Sequence, residues 1–152
     1  MKRVVLIAAL LAATLAAQPG WAAHKSHAVR RHCGPSSATE AEAGIRYMTD
    51  LMVVSSVCGD TVYAEFRLRN RDAIIAYQKA LIRRFRGTAG FDHWNTVLAN
   101  EVSQRQASVP PALFCQQSQP LLKQASALDA RGFRAYAAAQ AAAAAPTATC
   151  RK

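Results

Sequence analysis

Acidic residues are scarce in this chain: nine Asp and Glu stand against 19 Lys and Arg, a formal +10 over 152 residues. So few carboxylates leave little for acid–base chemistry, and helix pairing and capping account for nearly all of them. Glu42 and Arg46, Arg46 and Asp50, Glu65 and Arg69, and Glu101 and Arg105 are each four apart, and Asp72 lies three beyond Arg69. These are the spacings at which partners meet on one helix face. Glu40, Asp60 and Asp92 stand at expected helix starts, where a carboxylate complements the helix dipole. Only Asp129 is left without a role. No free carboxylate pair and no nucleophile with a base beside it remain, so the balance of residues argues against an enzyme.

Other absences narrow the reading further. There is no Gly-rich phosphate loop and no Cys-x-x-Cys-His haem attachment site, and no cofactor is expected. No two of the four cysteines are closer than 25 residues, whereas structural zinc sites bring ligands in pairs about two to four apart. Internal repeats and strand-like alternation are missing too. The apolar run at residues 4–17 is 14 residues long, short of the roughly 20 that span a bilayer. It follows Met1-Lys2-Arg3 and precedes the small-residue site Gly20-Trp21-Ala22, the layout of a secretory signal peptide over residues 1–22. Cleavage after Ala22 would leave 130 residues, one domain, periplasmic or secreted and without a transmembrane segment.

Of the 19 basic residues two, Lys2 and Arg3, lie in the leader, so the exported part sets 17 against 9 acidic residues, a formal +8. Such a charge favours anionic partners: nucleic acid, lipid head groups or acidic polysaccharide. Cys33, Cys58, Cys115 and Cys150 all fall in the exported part, and an even count there reads as two disulfides. Residues 23–36 form a basic arm without periodicity. Its His24, His27 and His32 could hold a transition metal weakly, since imidazole suits copper, zinc or nickel, but the spacing matches no defined ligand set.

Helical periodicity fills the remainder, residues 37–152, as a single domain. Ser37-x-x-Glu40 has the capping-box pattern, and Ala41, Ile45, Met48 and Met52 continue one face of a helix over residues 37–57 that stops at Gly59. Residues 61–86 read as one amphipathic helix, with Val62, Tyr63, Phe66, Ala73, Ile74, Tyr77, Leu81 and Phe85 inward. Its 26 positions would span about 39 Å, so it is expected to be the element around which the others pack. Leu68, Ile75 and Ile82, seven apart on its far side, form a second seam that could serve a homodimer.

Residues 87–90 read as a loop, and Asp92 as the cap of a third helix with Trp94, Val97, Leu98 and Val102 inward. Pro110-Pro111 ends that helix. A fourth helical region begins at Ser108 or Val109, with a break near Ser118 because of Pro120, a bend at Gly132, and an alanine-dominated stretch over residues 133–145 that is expected to add little to the core. The fold class is therefore all-α: a four-helix up-and-down bundle with a broken C-terminal arm. In that topology Cys58 and Cys115 share one end and Cys33 and Cys150 the other, giving the pairing 58–115 and 33–150. A 33–58 bond is excluded by about 30 Å of intervening helix.

Two clusters carry what binding chemistry there is. The helix over residues 61–86 bears Arg67, Arg69, Arg71, Lys79, Arg83, Arg84 and Arg86 against only Glu65 and Asp72. Lys79, Arg83 and Arg86 fall together on its outward side with Arg69 nearby, a candidate anion-binding face. Aromatic residues for base stacking are absent there, which places specific nucleic acid behind a membrane or polysaccharide. The second cluster is His93-Trp94, where a small ligand or a hydrolytic site could sit.

Tyr47-Met48-Thr49-Asp50-Leu51-Met52, Cys58-Gly59, Phe66-x-x-Arg69-Asn70-Arg71 and Leu98-Ala99-Asn100-Glu101 give the chain a resemblance, over about residues 33–120, to small exported four-cysteine helical proteins of Gram-negative bacteria with no assigned function. That resemblance implies no activity and no functional residue. The expectation is a non-enzymatic exported helical binding or structural module that engages an anionic envelope component or a partner protein.

Overall fold

The structure, a computed structural model, describes residues 37–144, all within one compact unit. The expected leader, the arm with His24, His27, His32 and Cys33, and the tail with Cys150 lie outside the described residues. Among the described residues there are six helices and no strand: α1 (Ser37–Cys58), α2 (Val62–Arg69), α3 (Arg71–Arg84), α4 (Thr88–Ala107), α5 (Pro111–Ala127) and α6 (Ala130–Ala144). None of them is long and apolar enough to cross a membrane.

The central element is α1, not the run over residues 61–86. All five other helices pack on α1, with α3 and α6 most extensively. Its buried positions, among them Ala41, Gly44, Ile45, Tyr47, Thr49, Leu51, Val53 and Val54, cover all of the helix but a stripe that holds Arg46 and Asp50. A helix with so wide an apolar surface can meet several partners, whereas a helix carrying seven cations can bury only one face. Gly59, at φ 70°, ends α1 in the left-handed conformation that lets the Asp60 N–H reach back to the Ser55 carbonyl.

The run over residues 61–86 is interrupted at Asn70, which divides it into α2 and α3. Asn70 is fully buried, and its side-chain amide donates to the carbonyls of Phe66 (3.0 Å) and Leu128 (3.2 Å). The Asn70 N–H bonds the same Phe66 carbonyl (2.9 Å), and the residue holds φ −107° and ψ 13°, off the helical values. The second interruption, between α5 and α6, lies against the first. Arg69 donates to the carbonyls of Ala125 (2.9 Å) and Ser126 (3.2 Å), so the last turn of α5 is capped from α2. The first break thus supplies, through the side chains of Arg69 and Asn70, donors for the backbone carbonyls at the second.

That second break sits at Leu128-Asp129, not at Ser118 or Gly132. α5 continues through Pro120, because Pro120 and Gln116, whose carbonyl loses its partner, are both exposed and the freed carbonyl can hydrate. Asp129 has a structural role: its Oδ1 accepts the Gly132 N–H (2.7 Å) and caps α6. α4 starts at Thr88, ahead of the expected cap Asp92, which is exposed in the helix. Gly90 explains the early start. A Cβ there would come within 2.6 Å of the Phe85 carbonyl, so the end of α3 can lie directly against the first turn of α4.

The alanine-rich segment also departs from expectation, since α6 is a major contributor to the core. Phe133, Ala137 and Ala141 are buried at four-residue spacing, and the small alanines let the helix lie close along α1. Phe133 stands among aromatic rings from three other helices, 4.9 Å from Phe66, 5.5 Å from Tyr77 and 6.1 Å from Tyr47. Gly44 makes room for this cluster, because a Cβ there would meet the Tyr77 ring at 2.5 Å. At the other end of α1, Cys58 and Cys115 form the expected disulfide, with Cα atoms 5.6 Å apart. Cys33–Cys150 lies outside the described residues.

Candidate functional site

Lys79 and Arg83 lie one turn apart on α3, and Arg86 follows just past its end. All three are exposed and make no ion pair among the described residues. Arg86 holds an unusual backbone for a residue with a side chain, φ 59°. The Arg86 N–H bonds the Arg83 carbonyl and the Gly87 N–H the Ile82 carbonyl, which is the Schellman arrangement with arginine where glycine is the usual choice. The left-handed conformation costs a non-glycine residue roughly 1 kcal/mol.

Arg69 does not belong with these three, because its guanidinium is committed to the end of α5 and approaches Glu65 at 3.9 Å. Arg84 is likewise engaged, with Glu42 at 2.9 Å. Arg67 is exposed and stands over the Tyr63 ring at 5.5 Å, and Arg71 is exposed. Between these two, Leu68 is 78% exposed. Ala64, Arg67, Leu68 and Arg71 line a shallow groove of about 360 Å3. Ile75 and Ile82 are partly buried, unlike Leu68, and lie on α3, beyond the interruption at Asn70.

His93 and Trp94 do not converge on a site. His93 is exposed, while Trp94 turns inward to stack on Phe85 at 5.5 Å and receives Arg46 over its face at 5.7 Å. Neighbouring helix positions point about 100° apart, which separates the two.

The ion pairs along α1 show what spacing alone could not. Glu42 and Arg46 pair at 3.2 Å as expected, but Asp50 is bound by Arg105 of α4 (3.0 Å) and Glu101 of α4 lies 3.9 Å from Arg46. The partners expected within each helix are exchanged between two helices. Tyr47, Asp50 and Tyr136 lie beside these pairs, along a groove of about 240 Å3 between α1 and α6. Burial is the main influence on all three. It pushes Tyr47 up, with a further rise from Tyr136, and it raises Tyr136 with help from Asp50. Burial also raises Asp50, opposed by Arg105 and then Arg46. The Tyr47 hydroxyl makes no hydrogen bond, and its surface is closed off from the groove. Tyr77, raised by burial and then by Glu40, donates to that carboxylate at 2.7 Å. These phenols have packing and hydrogen-bonding roles, with no nucleophile beside them.

No group of three metal-ligating side chains is found among the described residues. The chain matches no family profile, no curated protein and no solved structure. The described surface carries the unpaired cations Lys79, Arg83 and Arg86, and Arg67 and Arg71 line one groove with the exposed Leu68.

Proposed function

We propose that this protein is a non-enzymatic exported module that binds an anionic component of the cell envelope through the basic surface of α2 and α3. The observation that carries this reading is the set Lys79, Arg83 and Arg86, exposed and unpaired while Arg46, Arg69, Arg84 and Arg105 are all engaged within the fold. Cations retained without partners raise the local concentration of anions. Arg86 adds weight, since a side chain kept in a left-handed conformation is a strain of the kind that accumulates at functional positions.

Export through the 1–22 leader, a periplasmic or secreted location, an up-and-down bundle of four arms (α1, α2–α3, α4 and α5–α6) and a second disulfide, Cys33–Cys150, belong to the same reading. Two staples would suit a small domain outside the cytoplasm.

Binding of a soluble acidic polysaccharide, measured at low and moderate salt, tests the proposal. Wild type should bind with an affinity that falls as salt rises. The triple variant Lys79→Glu, Arg83→Glu, Arg86→Glu should lose most of that binding while melting like wild type. Equal binding by the two proteins would sink the reading.

A further inference from the structure

We infer that the Leu68 patch of α2 docks on the surface of an anionic lipid layer, with Leu68 inserted among the head groups and Arg67 and Arg71 on lipid phosphates. This deepens the function proposed above and rests on it. Three large apolar residues are exposed among the described residues, and Leu68 is the most exposed, at 78% against 43% for Val97 and 44% for Leu113. A lone exposed leucine is ordinary on a protein surface. Leu68 is distinguished by what surrounds it: Arg67 precedes it, Arg71 follows three residues later, and both arginines are exposed and free of ion pairs.

Together with Ala64, these residues line one shallow groove. Of the nearby carboxylates, Glu65 is engaged by the Thr61 hydroxyl (2.7 Å) and by Arg69, which leaves Asp72 against Arg67, Arg71, Lys79, Arg83 and Arg86. The partner this balance complements is strongly anionic. It must also accept an apolar side chain. An acidic polysaccharide offers the charge without an apolar layer, and a nucleic acid would call for exposed aromatic rings to stack its bases. A stable protein interface buries on the order of 1,200 Å2 or more around an apolar centre, more than one leucine supplies. An anionic lipid surface asks only for cations at the phosphates and an apolar residue reaching the acyl boundary.

The test uses the protein recovered after expression with its natural leader, co-sedimented with vesicles of phosphatidylcholine alone or mixed with phosphatidylglycerol. Wild type should bind the mixed vesicles at least tenfold more tightly than the neutral ones. Leu68→Asn, which keeps the charge and sits on an exposed helix face, should weaken vesicle binding about tenfold and leave acidic-polysaccharide binding unchanged. Arg67→Gln with Arg71→Gln should weaken it further and flatten its salt dependence.

Vesicle binding that is the same in Leu68→Asn as in wild type would overturn this inference while leaving the anion-binding function standing. Failure of wild type to bind either vesicles or polysaccharide would remove both. Sedimentation of wild type as a dimer that Leu68→Asn dissolves would also overturn the inference, by showing that a second copy of the chain covers the patch.

Discussion

The two halves of α1 are held in place by different means. Around Gly44, Ile45 and Tyr47 the helix is gripped by rings and small residues from three partners: Phe66 of α2, Tyr77 of α3, and Phe133 and Tyr136 of α6. At Ser55 to Cys58 there is little aromatic packing. A covalent bond to Cys115 takes its place, backed by a knot of polar contacts in which the Ser55 hydroxyl donates to Asp60 Oδ1 (2.7 Å) and accepts from the Tyr63 N–H (3.1 Å). Close interior packing fixes the helix where these side chains converge. Where the helix runs out towards a surface loop, a cross-link and a cap do that work.

The largest expected effect breaks the packed half. Phe133→Ala removes the ring at the centre of the cluster and should cost about 3–5 kcal/mol, read as a lowered urea midpoint with an unchanged slope. A loss below 1 kcal/mol would show that α6 is dispensable to α1. Removing the staple should come next. Cys58→Ala with Cys115→Ala opens a loop of 57 residues and should cost about 2–4 kcal/mol. If that loss exceeded the loss from Phe133→Ala, the stapled half would be the dominant one and the comparison would reverse.

A smaller effect sharpens the contrast. Asp60→Ala deletes the acceptor for Ser55 and for the Val62 N–H (2.9 Å) and should cost about 1 kcal/mol. The loss should grow in the protein lacking the disulfide, since contacts that share one turn couple. Equal losses in both backgrounds, measured as a double-mutant cycle, would mean that cap and cross-link act independently.

The smallest effect concerns Asp50, between the two halves. Its folded carboxyl is raised above the ordinary 3.8, by burial first and against the pull of Arg105. The folded state therefore holds that proton more tightly than the unfolded state does. The stabilisation from this group is present at pH below the ordinary value and is lost as pH rises through the raised one. A carbon-detected NMR titration should place the Asp50 midpoint above 3.8, and Arg105→Gln should move it higher still. A midpoint that did not move in that variant would contradict the ion pair. Because the Asp50 side chain is 40% exposed, the change in overall stability should be slight.

The candidate binding surface was legible to the extent that it depends on local spacing. Lys79, Arg83 and Arg86 stand outside, as the periodicity of α3 requires, because seven cations in one run cannot be buried. Arg69 was misplaced with them. Its spacing is that of an outward residue, and only the arrival of α5 alongside α2 supplies the carbonyls that bind it. A single helix over residues 61–86 aligns Leu68 with Ile75 and Ile82 in one seam. In the structure the interruption at Asn70 falls between them, and Leu68 is exposed while Ile75 and Ile82 are partly buried.

The sequence by itself determined the all-helical character of the described residues, the stop of α1 at Gly59 and the Cys58–Cys115 bond. The first two follow from local rules, helical periodicity and the freedom of glycine at positive φ; the bond follows from the order of the helices in an up-and-down chain together with the short reach of a disulfide. Tertiary structure alone decided the rest. It made α1 the centre, because enclosure depends on how many neighbours find an apolar face. It placed the breaks at Asn70 and Leu128 against each other, where the side chains of Arg69 and Asn70 donate to the carbonyls that the end of α5 leaves open. It gave Asp50 to Arg105 and set Glu101 near Arg46, because a long side chain also reaches carboxylates on a neighbouring helix, whose place no spacing along a single helix records.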